Sequence, residues 1–279
     1  MEQIKCQICN SDDTRLIKKE GDWNIVQCNV CGLVYVNPQP SENFLEEHYQ
    51  NYLPESSDNI TEWGKMMSGV FRESLKIINK TEKRGKLLDI GCAHGFFLEA
   101  ASDTGWDTYG IDLSKQAVQY AKNKGLSVSN SILFEKTYQD NEFDIITMFY
   151  VLEHLPNPAR YLKEVYRILK PSGILLIRVP HTTPIVTLLK AFNIPNKLYD
   201  APSHLTDFSP QTLKRLLEKI GFDTIRTYIG GMTYPRPLIE RFTSCAFGML
   251  ATFLHLLTFN RYLLPGVSKT TIARKRIKI

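Results

Sequence analysis

Hydrophobic and polar positions change their period three times along the chain, marking four zones. Residues 1–37 hold short β-prone runs, at 23–27 and 33–36, separated by polar turns, and Asn37-Pro38-Gln39-Pro40-Ser41 reads as a linker. Residues 38–84 have helical spacing, interrupted at Pro54-Glu55-Ser56-Ser57-Asp58, and offer Tyr49, Tyr52 and Trp63 as packing or lid residues. Residues 85–230 alternate short apolar strands (87–90, 108–112, near 127, 143–149, 173–179, 222–229) with helices at 96–104, 114–124, 157–169 and 209–219. Ser114 and Ser209 open their helices, and Asn157-Pro158 sets a cap before a proline at the first helical position. This alternation predicts an α/β fold with a doubly wound, mostly parallel sheet. The last zone, 231–279, reads as an apolar helical insertion followed by a basic strand or tail.

Composition changes this picture little: 43% hydrophobic and 23% charged residues suit an ordinary globular chain. Charge does more. From Arg236 onward eight Lys or Arg stand against Glu240 alone, so a chain of net +5 carries +7 in its tail and −2 before it. A body without excess positive charge argues against a nucleic-acid groove, and no nucleic-acid partner is expected. The opening residues lack an apolar h-region, which points to a cytoplasmic, reducing setting where cysteines stay thiols or bind metal. Four of the six cysteines form Cys6-x-x-Cys9 and Cys28-x-x-Cys31, eighteen residues apart. That spacing suits a zinc-ribbon module over residues 1–37, with a structural Zn2+ closed off by four thiolates. Lys5, Arg15, Lys18 and Lys19 face Glu2, Asp12, Asp13, Glu20 and Asp22 in the same stretch, a balance that does not favour phosphate contact.

The chemistry centres on Leu87-Leu88-Asp89-Ile90-Gly91-Cys92-Ala93-His94-Gly95. A strand ending in a glycine turn that feeds a helix brings backbone close to a ligand. A dinucleotide site would want G-x-G-x-x-G. Here the glycines are four apart, and Asp89 beside the turn would repel a pyrophosphate but suits a ligand bearing an ammonium and a sulfonium. Asp112, 21 residues after Gly91, can accept from ribose hydroxyls. These stretches, with FDIITMFYVLEHLPNP, LKPSGILLIRVP and His204-Leu205-Thr206-Asp207-Phe208-Ser209-Pro210, resemble the class I S-adenosylmethionine-dependent methyltransferases over roughly residues 85–230. The resemblance implies a Rossmann-like methyltransferase core with S-adenosylmethionine as cofactor. It places Asp89, Gly91, Cys92 and Gly95 at the methionine end and Asp112 with Leu113 at the ribose. Asn130, Ser131 and Ile132 would flank the adenine, and Phe149 would lie near the cofactor.

Methyl transfer asks for in-line alignment, water exclusion and, with a hydroxyl or carbon acid, removal of one proton. Tyr150, Glu153 and His154 follow the strand 143–149, where an α/β sheet binds its ligands. His154 is the candidate general base, with Glu153 as an alternative or as its orienting partner. His181, after the strand 173–179, and His204, before the Ser209 helix, are further candidates. The Cys module is also similar to those of sugar C-methyltransferases, where it helps wall the acceptor site. The expected acceptor is therefore a small polar molecule, with a nucleotide-linked or lipid-linked sugar foremost. Two alternatives stay open: an RNA or protein methyltransferase recognising its target through the zinc module, and a non-catalytic scaffold.

Residues 242–260 contain no Asp, Glu, Lys or Arg. Phe242, Cys245, Ala246, Met249, Leu250, Phe253, Leu254 and Leu257 fall at helical spacing. A helix packed on the core is the leading reading, ahead of peripheral docking of residues 242–279 at the inner face of a membrane, and of a span. Docking would let Arg274, Lys275, Arg276 and Lys278 meet anionic lipid and would make a glycolipid acceptor attractive. A return strand at 270–273 argues against spanning.

Overall fold

The computed structural model describes residues 1–41, 44–45, 48–49, 56–80, 84–229, 231, 233–234, 246, 249, 253, 257 and 268–277. The N-terminal zone forms β1 (Thr14–Glu20), β2 (Trp23–Cys28) and β3 (Val34–Val36), an antiparallel meander. A long helix, α1 (Ser57–Ile78), leads into the alternating zone: β4 (Lys86–Ile90), α2 (Phe96–Ser102), β5 (Asp107–Asp112), α3 (Lys115–Asn123), β6 (Ser127–Asn130) and β7 (Phe143–Phe149). Then come α4 (Pro158–Ile168), β8 (Leu169–Val179), α5 (Thr183–Ala191), β9 (Thr206–Asp207), α6 (Pro210–Ile220), β10 (Phe222–Tyr228) and β11 (Lys269–Lys275). The caps expected from sequence are in place: Ser114 accepts from Ala117 N, Asn157 from Arg160 N and Ser209 from Thr212 N.

Seven strands form one sheet in the order β10-β11-β8-β7-β4-β5-β6. β4 to β8 pair in parallel, while β11 runs antiparallel to both its neighbours. The chain winds outward from β4 to β6 and then returns to lay β7 on the other side of β4. The strand order therefore reverses at the C-terminal ends of β4 and β7, where sheets of this kind open a ligand crevice. Period-two alternation sends Leu88, Ile90, Ile146, Met148, Leu175 and Ile177 to one face, with α4 and α6. Leu87, Ile145, Ile174 and Leu176 go to the other, with α1, α2 and α3.

The meander is not an appendage on a tether. β3 pairs with β9, giving a second sheet in the order β1-β2-β3-β9. Cys6, Ile8, Cys28, Cys31, Leu33 and Tyr35 are buried in the same cluster as Phe208, Leu213 and Leu216. From α6, Arg215 and Lys219 donate to the carbonyls of Cys31 (2.8 Å) and Ile8 (2.6 Å).

Three features differ from the sequence expectation. The helix expected through Leu169 stops at Ile168, and Leu169 already pairs with Phe143 as the first residue of β8. Pro171 biases Lys170 to extended backbone, which ends the helix early. β1 escaped notice because its charged Arg15, Lys18, Lys19 and Glu20 mask the strand period, and α5 because 183–191 lacks a polar face. Of the expected apolar insertion, Ala246, Met249, Phe253 and Leu257 are helical; Phe242, Cys245, Leu250 and Leu254 lie outside the described residues, as does Tyr52. Among the described residues, no helix is long and apolar enough to cross a membrane.

Candidate functional site

The turn after β4 is shaped by backbone that only small residues tolerate. Gly91 and Gly95 have φ of 75° and 78°, and a side chain on Gly91 would clash with Val151 Cγ2. Gly91 N and Cys92 N both donate to Ile111 O, at 2.8 and 3.1 Å, which ties the turn to β5. The Asp112 carboxylate accepts from Ala93 N and from Ser114 N, both at 2.8 Å. It thereby holds the turn and the start of α3 together, while each oxygen keeps a lone pair for a ligand hydroxyl. Asp89 is 2% exposed, accepts from Thr147 Oγ1 at 2.6 Å, and is pushed up to about 8 by burial, with Asp112 adding to the rise. Burial raises the Asp112 carboxyl as well. Two desolvated carboxyls in one crevice gain when a cationic ligand enters, so they fit a sulfonium and ammonium bearer and not a pyrophosphate.

The neighbouring positions divide between ligand wall and scaffold. Ser131 is buried with its Oγ unpartnered among the described residues, a donor and acceptor available to a bound base. Asn130 Nδ2 instead braces the end of β5, donating to Asp112 O (3.0 Å) and Leu113 O (2.7 Å). Ile132 is half-buried beside Ser131. Cys92 contributes backbone only: its Sγ packs against Gly110, and burial keeps it a thiol. The Phe149 ring stacks edge-on with Phe97 and Phe71, at 4.7 and 5.4 Å between centroids, in the core below the crevice.

Beyond β7 the chain turns sharply at Tyr150, whose φ is 56°. Arg178, 2% exposed, donates from Nε to the Tyr150 hydroxyl at 2.8 Å and spends its other bonds on Ile229 O, Gly231 O and Thr270 Oγ1. A short helical turn then brings Glu153, His154 and, from the loop before β9, His204 together. Their ligand atoms lie within 4.8 Å of one another, and the two imidazole centroids are 4.8 Å apart. His154 Nδ1 donates to Ser203 O at 2.7 Å, and the Tyr49 hydroxyl sits 3.1 Å from the same nitrogen. That assigns the proton to Nδ1 and makes Nε2 the basic nitrogen of the ring. Glu153 is fully buried, neither carboxyl oxygen has a partner among the described residues, and burial pushes it up to about 8. Burial, then His204 and His48, push His154 down to about 3. At neutral pH the ligand-free cluster is thus a neutral acid beside a neutral base.

His181 is held apart from this cluster. It follows β8, its Nδ1 is buried without a partner among the described residues, and burial lowers its pKa, while Asp207 opposes that. Asp207 itself accepts from Thr182 N, Thr183 N and Thr183 Oγ1, clamping the start of α5. Tyr49, Ser203, Arg178 and Asp207 were not expected as site residues from sequence, beyond Tyr49 as a packing residue. Each reaches the site across a long sequence separation, so no local pattern marks it. A cavity of about 790 Å3 between α1 and β10–β11 is lined by none of the candidate cofactor or acid–base residues.

In the N-terminal module, Cys6 Sγ lies 3.3 Å from Cys31 Sγ and Cys9 Sγ 3.5 Å from Cys28 Sγ, all four within 4.8 Å. These separations are far beyond a disulfide and close to the edges of a tetrahedron with metal–sulfur bonds of about 2.3 Å. The two pairs are built alike: Asn10 N donates to Cys6 O and Gly32 N to Cys28 O, with φ of 62° and 81° at Asn10 and Gly32. The arrangement is one that a four-coordinate ion completes.

A doubly wound sheet, a glycine turn under two carboxyls and an acid–base cluster across the crevice define a Rossmann-like methyltransferase. The chain belongs to the methyltransferase-domain family, whose sequence profile matches residues 63–227. It is similar to a ubiquinone biosynthesis O-methyltransferase of Thiobacillus denitrificans, 30% identical over 160 residues, covering 53% of this chain and 68% of the relative. A relative of the same description from Coxiella burnetii is 29% identical over 208 residues, covering 65% of this chain and 88% of that one. In fold it matches a methyltransferase from Archaeoglobus fulgidus with a TM-score of 0.53 at 22% identity, over 84% of this chain and all of the other. The protein is an S-adenosylmethionine-dependent methyltransferase.

Proposed function

We propose that this enzyme methylates a hydroxyl oxygen of its small-molecule acceptor, with a structural Zn2+ in the Cys6–Cys9–Cys28–Cys31 module. One observation carries the reading: Nδ1 of His154 is committed to Ser203 O, which makes Nε2 the proton-accepting nitrogen, in a cluster with the buried Glu153 carboxyl and His204. The relatives named as O-methyltransferases support oxygen as the acceptor atom. The sugar acceptor expected from sequence lacks such support and becomes one arm of the test.

When bound, the cofactor supplies an electrophilic methyl group on a cationic sulfur. Asp89 and Asp112 offset that charge, Asp112 receives the ribose hydroxyls, and Ser131 meets the base. The backbone of Gly91 and Cys92 lets the ligand approach. Across the crevice, His154 Nε2 accepts the acceptor hydroxyl's proton as oxygen becomes the nucleophile. A desolvated imidazole holds that proton poorly, so the ring gives it up readily and returns to the neutral base. Arg178 fixes Tyr150 at the mouth, so the wall does not move as the acceptor binds.

The test is turnover of the zinc-loaded protein with S-adenosylmethionine against hydroxyl compounds, nucleotide sugars and glycolipids, reading S-adenosylhomocysteine release. His154→Gln is expected to lower kcat by roughly 10²–10⁴ while leaving S-adenosylhomocysteine affinity unchanged. Equal turnover in the variant would rule out His154 as the general base.

A further inference from the structure

We propose that α5 and the loop after it dock the enzyme onto a bilayer carrying anionic lipid. Four large apolar side chains project from this short stretch: Leu188, Phe192, Ile194 and Leu198 are 57, 69, 49 and 44% exposed. Isolated exposed leucines are ordinary on a protein surface, but four within eleven residues need an explanation. From His181 to Tyr199 the chain has no Asp or Glu, and its charged residues are Lys190 and Lys197. Both lysines are exposed and alternate with the apolar positions.

The segment is mounted firmly at both ends. Asp207 holds Thr182 and Thr183 at the start of α5, and Val186 is buried beneath it. At the far end Tyr199 is buried, its N–H donates to Glu20 Oε1 at 3.2 Å, and its hydroxyl meets Thr183 Oγ1 at 3.1 Å. Lys18 Nζ adds a bond to Asn196 O at 2.6 Å. The exposed middle is therefore presented outward by fixed anchors.

Aliphatic and aromatic tips interleaved with lysines match the boundary between headgroups and acyl chains: the tips enter the apolar layer and the ammonium groups stay at the phosphates. The absence of any carboxylate across nineteen residues favours an anionic lipid surface over a protein partner or a second copy, neither of which demands one sign of charge. Met249, Phe253 and Leu257, each more than half exposed and from the uncharged stretch 242–260, supply a separate apolar face for the same environment. The docking surface begins at the residues following His181 and is clamped by the strand that follows His204. A lipid-anchored hydroxyl compound would thus be met at the acceptor side of the crevice, a consequence that rests on the methyl-transfer reading above.

Flotation of the full, zinc-loaded chain with phosphatidylcholine vesicles, with and without phosphatidylglycerol, tests this. Binding is expected on the anionic vesicles, weakened by salt. Leu188→Ser combined with Phe192→Ser should reduce it at least about tenfold, and Lys190→Glu with Lys197→Glu should abolish the preference for anionic lipid. Leu16→Ser, an equally exposed leucine elsewhere, should bind as the wild type does. S-adenosylhomocysteine titration of each variant shows that the fold is kept. No binding by wild type at low salt, or full binding by the Leu188/Phe192 variant, overturns the proposal. So would an α5-dependent dimer without vesicle binding, which would assign the face to a second copy. Vesicle binding without cofactor binding would leave the docking surface standing and remove the methyl-transfer reading.

Discussion

Asp112→Asn is the smallest change that separates the two jobs of this carboxylate. Both oxygens accept from backbone, one from Ala93 N and one from Ser114 N. Asparagine keeps the shape but has one acceptor oxygen, so its NH2 must face one of those N–H groups, donor against donor. Each lost charge-assisted bond is worth about 1.5–3 kcal/mol, discounted because Asp112 is only partly buried and water can replace part of it. A loss of about 1–3 kcal/mol in folding stability is expected. The ribose end of the cofactor loses in addition one or two bonds to a carboxylate, about 2–4 kcal/mol, or roughly 30-fold to 1000-fold in Kd. Calorimetric titration with S-adenosylhomocysteine, on wild type and variant at equal zinc content, measures the second effect, and thermal unfolding the first. Affinity in the variant within about threefold of wild type would refute this placement of the cofactor, whatever the melting temperature did.

Gly91→Ala combines a left-handed backbone with a clash against Val151. It should cost about 2–4 kcal/mol and lower Tm by roughly 5–15 °C; an unchanged Tm would show that the turn adapts. The wild type should retain about one zinc per chain, measured by atomic emission. Cys28→Ser should lose it and speed hydrogen exchange at Val34–Val36 and Thr206–Asp207. Ligand-free stability should fall as pH rises through about 8, because Asp89 and Glu153 are both held there, above their ordinary values of 3.8 and 4.5. The folded form binds extra protons between those limits, so the contribution is full below about 4 and gone above about 8. Glu153→Gln should flatten the slope of Tm against pH, and an identical slope would locate the buried protons elsewhere.

Much of the fold was legible because period and punctuation agreed. Leu87–Ile90 before Gly91, Asn157-Pro158 before a helix and residues 143–149 each carried a strand or helix signal with its own stop. The strand–turn–helix proposed to hold the cofactor was legible for the same reason: Asp89, Gly91, Gly95 and Asp112 lie within a single strand–helix–strand unit. Asn130 and Phe149 were placed by likeness, and their side chains turn out to brace β5 and fill the core. The acid–base cluster was only half visible. Glu153 and His154 are adjacent in sequence, but the Ser203 carbonyl that sets the tautomer, and the Tyr49 hydroxyl beside it, arrive through long-range packing that no local pattern encodes. Tertiary pairing also created β9, whose two residues have no strand signal of their own.

The hydrogen bonds between β3 and β9 join a segment near the start of the chain to the loop that carries His204. A lineage that exchanges its first forty residues by recombination would exchange the partner of that loop in the same event. On the proposed reading of His204, acceptor preference and the cysteine module would therefore be inherited together, whereas the nucleoside-binding half could drift on its own. Grafting the module between relatives is consequently a route to altered selectivity at constant donor affinity, and trimming it away is not a route to a minimal catalyst.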